Sequence, residues 1–210
     1  MGLPVLILGE SGSGKTTSLR NFKPGEVGII SVVGKPLPFR SELKPYKLNA
    51  EAKKKSVDRY SLLKSVLKKA KTKTIVIDDT QYLLSFDSFD KAKIKGFDKF
   101  IDIAVSFKEL LDFVIDDLPD ETTVYFLHHI EITDQGKTKI KTIGKMLEQQ
   151  LSTEGLFTIV LLCEASKSEH FFITQSDGTS TCKSPIDMFD YKIDNDLKFV
   201  DATIREYYGL

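Results

Sequence analysis

Gly9-Glu10-Ser11-Gly12-Ser13-Gly14-Lys15-Thr16 directly follows the apolar run Leu3-Pro4-Val5-Leu6-Ile7-Leu8. This stretch has the spacing G-x-x-x-x-G-K-T and stands between a predicted strand and a predicted helix. Glycines let backbone N–H groups surround phosphate oxygens, and the start of a helix favours the same anions. Lys15 offers a cation to the terminal phosphates, and Thr16 offers a hydroxyl to Mg²⁺. The predicted phosphate site comprises Gly9, Glu10, Ser11, Gly12, Ser13, Gly14, Lys15, Thr16 and Thr17.

The composition is that of a globular protein without net charge. The chain has 210 residues, with 30 basic and 30 acidic side chains, so one domain over 1–210 is expected and no overall attraction to nucleic acid. No apolar stretch reaches the ~18 residues of a membrane span, and no basic-then-apolar leader is present. We expect a cytoplasmic protein without membrane contact. Cys163 and Cys182 lack metal-site spacing and are expected to be free and buried.

Hydrophobic periodicity predicts alternating strands and helices. Strands are expected at 3–8, 26–33, 73–79, 122–129 and 156–165, and helices at about 15–22, 51–73, 100–118, 143–153 and 202–208. This alternation is typical of an α/β fold with a mostly parallel central sheet flanked by helices. Asp177-Gly178, between 169–174 and 179–183, predicts a C-terminal β-hairpin. Residues 85–97 are predicted to form an irregular loop.

The strand Lys73-Thr74-Ile75-Val76-Ile77-Asp78-Asp79 ends in two carboxylates. A buried strand that delivers a fixed Asp at its end, after a phosphate-binding loop, is the Walker B pattern. We assign Asp78 to Mg²⁺, together with Thr16. Asp79 or a nearby group is assigned to positioning the attacking water.

Two neighbouring histidines end the strand predicted at 122–129. Side chains at 128 and 129 point to opposite faces, so at most one of them faces the nucleotide. We favour His129; the alternative is a histidine that only ends a strand at the surface. The Pro-rich loop 34–39 follows another strand and either lines the cleft or simply leaves the strand.

Lysines are concentrated in two segments. Residues 134–147 contain Lys137, Lys139, Lys141 and Lys145 with no acid after Asp134. They either follow a nucleic-acid backbone or belong to an exposed loop; base stacking is not expected, because no aromatic residue is present. The helix predicted at 51–73 carries nine Lys or Arg against two acids, which fits a solvated face or a polyanion contact.

These motifs, with Lys183-Ser184-Pro185 and Met188-Phe189 after the predicted hairpin, resemble the short RecA-like P-loop ATPases of bacteriophages. These AAA-family ATPases are associated with single-strand annealing and recombination. The resemblance implies a RecA-like fold, ATP and Mg²⁺ as cofactors, and the cytoplasm of a bacterial host. It implies single-stranded DNA as a partner, with DNA contacts near 85–97 and 134–147. It also implies a head-to-tail homo-oligomer, as a filament or ring, in which Lys183 reaches the neighbour's terminal phosphate.

The sequence departs from the RecA pattern at one place. RecA-type enzymes carry a catalytic Glu at the end of the strand after the P-loop helix, where this chain has Val33-Gly34-Lys35-Pro36. Either Asp79, Glu131 or Glu164 supplies this function, or hydrolysis is slow.

Three functions follow from these patterns. The first is an ATPase with Lys15, Asp79, His129 and Lys183 as catalytic residues. The second is a nucleotide-dependent assembly or switch subunit with little turnover. The third is a small-molecule or nucleotide kinase, which the scarcity of arginine disfavours: the chain has only Arg20, Arg40, Arg59 and Arg205. The lack of an Asn-Lys-x-Asp segment favours ATP over GTP.

Overall fold

The central sheet is built from short and mostly apolar strands. The computed structural model describes residues 1–96, 98–143, 152–167 and 169–210. Over these residues the sheet has nine strands. They are β1 (Leu3–Gly9), β2 (Val27–Ser31), β3 (Tyr46–Lys47), β4 (Thr74–Asp78), β5 (Thr123–Ile132), β6 (Thr138–Ile140), β7 (Ile159–Ala165), β8 (His170–Ile173) and β9 (Lys192–Asp194).

The strand order is β3-β2-β4-β5-β1-β7-β8-β9, with β6 beside β5. All neighbours from β3 to β7 in this order are parallel, whereas β6, β8 and β9 pair antiparallel. The mostly parallel α/β sheet predicted from the sequence is therefore confirmed. Since β5 lies between β1 and β4, the carboxyl ends of these three strands bring Gly9, His129 and Asp78 to one edge.

Helices cover both faces of the sheet. The helices α1 (Leu48–Lys55), α2 (Arg59–Lys68), α3 (Gln81–Asp90) and α4 (Asp98–Asp117) pack on one face, and α5 (Leu197–Tyr208) packs on the other. In β1, Leu6 and Leu8 face the first layer, while Val5 and Ile7 face α5. The strand is apolar throughout because both of its faces are buried.

A buried polar cluster holds α5 near the amino ends of β4 and β5. Asp201 accepts hydrogen bonds from Thr74 Oγ1 (2.8 Å), Tyr125 OH (2.9 Å) and Arg205 Nε (2.8 Å). Arg205 also donates to Thr74 Oγ1 and to the Glu121 carbonyl, both at 3.0 Å. Removing either Asp201 or Arg205 would leave the charge of the other uncompensated in this buried cluster, which costs about 3–5 kcal/mol.

Two helices predicted from the sequence are wrong in length. The segment after the glycine-rich loop (Gly9–Thr16) forms a single 3-10 turn, Thr16–Leu19, instead of a longer helix, and the Arg20 N–H bonds to the Thr17 carbonyl, three residues back. The basic segment predicted as one helix forms α1 and α2 instead. Ser56, with φ +51°, ends α1, and the Asp58 carboxylate accepts a hydrogen bond from Ser61 N at 2.8 Å to begin α2.

The C-terminal hairpin predicted between 169–174 and 179–183 is not observed. The strand β8 pairs with β7 on one side and with β9 on the other. Ser180 instead bridges to Thr138, and Lys183 bridges to Val160. The Asp177 carboxylate accepts hydrogen bonds from Thr179, so a local turn forms without joining two strands.

Other segments depart from the sequence prediction more locally. The loop predicted at 85–97 is helical up to Asp90, as part of α3. The helix predicted at about 143–153 lies largely outside the described residues. The C-terminal helix begins at Leu197, several residues earlier than predicted. No helix in the described ranges is long and apolar enough to cross a membrane. Both cysteines are free and buried, as predicted.

Candidate functional site

A cleft of about 230 Å³ opens at the carboxyl ends of β1, β4 and β5. Its walls are the glycine-rich loop, the loop after β2, the end of β4 and the end of β5. The residues that line it are Ser11, Gly12, Gly14, Lys15, Thr16, Thr17, Lys35, Pro36, Pro38, Asp78, Asp79 and His129. The structure thus brings together most of the residues that the sequence singled out.

Close packing makes glycine necessary at two positions of the glycine-rich loop. Gly14 has φ +103°, and a Cβ there would lie 2.9 Å from His170 Nδ1. A Cβ on Gly9 would lie 2.5 Å from Ser13 Oγ. Both distances are too short for a real side chain, so the loop can follow this path only with glycine.

Two side chains hold the glycine-rich loop in place through contacts with the Ser13 carbonyl. His170 Nδ1 lies 2.8 Å from the Ser13 carbonyl oxygen, and Cys163 Sγ donates to the same oxygen at 3.1 Å. The Ser13 hydroxyl is buried and has no hydrogen-bond partner among the described residues. No sequence pattern predicts the contacts of His170 and Cys163 with Ser13, because both residues follow it by about 150 positions.

The Lys15 ammonium folds back across the glycine-rich loop. Its Nζ donates to the carbonyl oxygens of Gly9 (2.8 Å) and Glu10 (2.7 Å). Burial lowers the pKa of Lys15 from its ordinary value. Because the ammonium is held by neutral carbonyls, an anion in the cleft would be a stronger partner for it.

Thr16 and Asp78 form the corner of the cleft suited to a metal ion. Thr16 Oγ1 donates to Asp78 Oδ1 at 3.0 Å. Burial, and then the charge of Asp79, raise the pKa of Asp78 to about 6. Within the described residues no group of three or more His, Cys, Asp or Glu could hold a metal ion alone. One hydroxyl and one carboxylate fit Mg²⁺, which takes its other ligands from water and substrate phosphates.

Asp79 forms a second corner with a histidine and a lysine. It adopts φ +64°, a left-handed backbone conformation. His129 Nε2 lies 3.5 Å from Asp79 Oδ1, and Lys35 Nζ lies 3.2 Å from Asp79 Oδ2. Burial raises the pKa of Asp79, but hydrogen bonding to His129 and the charge of Lys35 outweigh burial and hold the pKa below its usual value. This carboxylate is therefore ionised at neutral pH.

The two histidines of β5 have different environments. His128 is fully buried, and its ring nitrogens lie 2.7 Å from Thr80 Oγ1 and 2.8 Å from the Lys141 carbonyl oxygen. Burial lowers the pKa of His128 to about 3, so the ring is neutral. His129 lines the cleft and packs edge-on against Tyr82, with ring centres 6.1 Å apart. The structure thus places the favoured histidine at the site.

Other predicted site residues lie outside the cleft. Lys183 pairs through its backbone with Val160, a strand residue before the carboxyl edge. Lys137 and Lys139 lie on the β5–β6 hairpin, where Lys139 pairs with Glu131 at 3.0 Å. Lys141 follows β6, and Lys145 lies outside the described residues.

The carboxylates proposed as alternatives to Asp79 also lie elsewhere. Glu131 is engaged by Lys139 on the hairpin. Glu164 lines a neighbouring cavity, on the other side of the glycine-rich loop, together with Glu10. Of the three candidates, Asp79 alone lines the cleft that holds Thr16 and Asp78.

Comparisons with known proteins assign no family to the chain. No protein-family model matches it. No curated protein matches it at a significant level. The geometry of the cleft and the sequence motifs that form it are therefore what indicate the function of the chain.

Proposed function

We propose that the chain is a Mg²⁺-dependent P-loop protein of RecA-like fold that binds and hydrolyses ATP. The observation that carries this proposal is the meeting of Lys15, Thr16 and Asp78 in one cleft at the carboxyl edge of the sheet. A nest of backbone amides, a lysine and a metal-binding carboxylate are the parts that phosphoryl-transfer sites use. The insertion of β5 between β1 and β4 supports the RecA-like fold.

The binding role of each residue follows from its position. The backbone amides of the glycine-rich loop would surround the β-phosphate, and the Lys15 ammonium would exchange its carbonyl partners for phosphate oxygens. Thr16 and Asp78 would hold Mg²⁺, which when bound neutralises charge on the terminal phosphates. Since only one 3-10 turn follows the loop, the amides and Lys15 contribute more than a helix dipole does.

The water-positioning role falls to Asp79 under this proposal. Its carboxylate is ionised at neutral pH and lies beside Asp78 in the same cleft. His129 orients this carboxylate from the end of β5. An ionised acceptor that a neighbouring side chain orients can position a water molecule toward the terminal phosphate.

We also propose that single-stranded DNA and a second copy of the chain act on this site. The lysines of the β5–β6 hairpin support DNA contact, because the hairpin continues β5, the strand that carries His129 into the cleft. Lys183 lies outside its own cleft, so any contact with a terminal phosphate would be made to a neighbouring copy. An assembly of this kind fits a role in phage recombination or replication.

A nucleotide-dependent assembly subunit with little turnover is the second candidate. The observation that favours it is Lys35, which occupies the cleft after β2 where RecA-type enzymes place their catalytic Glu. Tight ATP binding without turnover, at high protein concentration and with DNA present, would select this function. The kinase alternative requires transfer of phosphate to an added nucleoside monophosphate.

Lys15→Ala tests nucleotide binding directly. We expect ATP affinity, measured by calorimetry with Mg²⁺, to fall at least about 100-fold, because a buried charge-assisted contact is lost. Lys23→Ala, an exposed lysine outside the cleft, is the matched control and should bind ATP like the parent. Equal affinities of Lys15→Ala and the parent would refute the site.

Hydrolysis with and without single-stranded DNA tests the remaining claims. We expect turnover to require Mg²⁺ and to rise with protein concentration and with DNA. Mass measurements with an ATP analogue and DNA should show assemblies larger than one chain. Mg²⁺-dependent turnover that no DNA changes would remove the DNA proposal and leave the ATPase in place.

A further inference from the structure

Lys35 enters the cleft from a rigid part of the loop after β2. Gly34 has φ +84°, and its N–H donates to Ser31 Oγ at 2.9 Å. On the other side, Pro36 restricts the backbone of Lys35 to extended conformations. The backbone is therefore fixed, while the four-carbon side chain leaves the ammonium free to reach more than one partner in the cleft.

The present partner of the Lys35 ammonium is held only weakly. Its Nζ lies 3.2 Å from Asp79 Oδ2 and 5.4 Å from the centre of the Tyr82 ring. The lysine side chain is 58% exposed. An ion pair with this exposure contributes only about 0–1 kcal/mol, so a more highly charged acceptor can displace it. A terminal phosphate offers three oxygens and more charge than a carboxylate.

The charge of the cleft also favours a second cation for the phosphates. Its two lysines, Lys15 and Lys35, balance its two aspartates, Asp78 and Asp79. Mg²⁺ and ATP together add net negative charge to this balanced set. When the metal ion is bound to Asp78, the cation that can move toward the added negative charge is Lys35, which lies beside Asp79.

We propose that Lys35 is a sensor of the terminal phosphate that acts within its own chain, an inference that rests on the proposed ATP site. The ammonium leaves Asp79 for the γ-phosphate of ATP and returns to Asp79 when ADP remains. ATP binding thereby removes a cation from Asp79 and leaves its carboxylate available to a water molecule. The Lys35 side chain thus couples the binding of ATP to the positioning of the water molecule by Asp79.

The hydrolysis step balances with these groups. The oxygen of the water held by Asp79 bonds to the γ-phosphorus, and the bond from that phosphorus to the β,γ-bridging oxygen breaks. ADP leaves with the electron pair of the broken bond, and the proton of the water passes to the Asp79 carboxylate and then to inorganic phosphate. The Lys35 ammonium stabilises the charge on the γ-phosphate oxygens during this step.

Equilibrium binding of a non-hydrolysable ATP analogue and of ADP, both with Mg²⁺, tests the proposal without relying on turnover. We expect Lys35→Ala to bind the analogue about tenfold more weakly than the parent, with ADP affinity unchanged within about twofold. Lys35→Arg should retain part of the preference for the analogue. Lys44→Ala, an exposed lysine of the same segment outside the cleft, is the control and should match the parent.

The outcomes separate this inference from the proposed function. A parent protein that binds neither nucleotide overturns the proposed function and the sensor with it. If the parent protein binds both the ATP analogue and ADP, and Lys35→Ala weakens binding of both nucleotides equally, or of neither, the sensor proposal alone is overturned. Circular dichroism confirms that each variant is folded, and Lys35→Gln replaces Lys35→Ala if the alanine variant is not.

Discussion

The two corners of the cleft hold neighbouring carboxylates in opposite electrostatic states. At one corner, Asp78 is buried against Thr16, and burial raises the pKa of Asp78 to about 6. At the other corner, burial also raises the pKa of Asp79, but His129 and Lys35 more than compensate and lower it. The two carboxylates differ in their partners, Thr16 for Asp78 and Lys35 with His129 for Asp79. One strand end can therefore supply a metal ligand and a water-positioning group at adjacent residues.

Of the variants at the two corners, Asp78→Asn should lower activity the most. We expect ATP hydrolysis to fall at least about 10³-fold, because charge on the metal ligand is worth several kcal/mol in the transition state. Mg²⁺ should no longer increase ATP affinity. Steady-state kinetics and calorimetry at varied Mg²⁺ concentration measure both effects.

Asp79→Asn is the matched variant at the other corner. It should lower turnover about 10²-fold while Mg²⁺-dependent ATP affinity stays within about threefold. If Asp79→Asn weakens ATP binding as much as Asp78→Asn does, the two corners do not have separate roles.

The pH dependence of stability distinguishes the corners without any ligand. The folded protein retains the proton of Asp78 up to about pH 6, whereas the unfolded chain releases it near pH 3.8, so ionisation of Asp78 costs stability as the pH rises. In metal-free buffer, Asp78→Asn should therefore raise the free energy of unfolding at pH 8 by about 1–3 kcal/mol. The gain should shrink between pH 6 and pH 4 and vanish below that range. Urea denaturation at each pH measures it.

Asp79 should behave in the opposite sense. Its lowered pKa means that the ionised form stabilises the fold above its unfolded pKa, and this contribution is lost as the pH falls. Asp79→Asn should consequently reduce stability at pH 8.

The pH series also provides the control for Asp78→Asn. If that variant raises the free energy of unfolding by the same amount at every pH, packing rather than charge explains the gain.

The two histidines give the smallest expected change in rate. His129→Gln should lower turnover about tenfold, because one hydrogen bond to a charged group is weakened, and should leave stability nearly unchanged. His128→Gln should instead lower the free energy of unfolding by about 1–3 kcal/mol, since buried polar groups at Thr80 and Lys141 lose their partner. A large loss of turnover in His128→Gln, with stability retained, would reverse the assignment.

Sequence reasoning located the cleft well because its main parts are local. The glycine-rich loop, the strand that ends in Asp78 and the paired histidines are each encoded by a short pattern, and parallel strands bring their ends to one edge. The same patterns could not show that Asp79 turns left-handed or that Lys35 pairs with it. Both depend on the path of a loop relative to a distant strand.

The predictions from sequence that are wrong are those in which local patterns compete with strand pairing or helix breaks elsewhere in the fold. The turn at Asp177 forms as predicted, but both edges of β8 are taken by β7 and β9, so 179–183 does not pair with it. The helix expected after the glycine-rich loop is reduced to a 3-10 turn, in which the Arg20 N–H bonds to the carbonyl of Thr17, three residues back. The helix expected at 51–73 is broken between α1 and α2, where Val57 is 46% exposed.

The attachment of α5 has a consequence for synthesis of the protein. Its contacts with Thr74 and Tyr125, through Asp201, join segments that are far apart in the chain. The apolar face of β1, β4, β5 and β7 that α5 covers is completed only after roughly 190 further residues follow β1. At about 5–20 residues per second, a ribosome needs ~10–40 s for that length. During this interval the strands of this face are made one after another without the helix that covers them, which makes the nascent chain a substrate for chaperones until α5 is made.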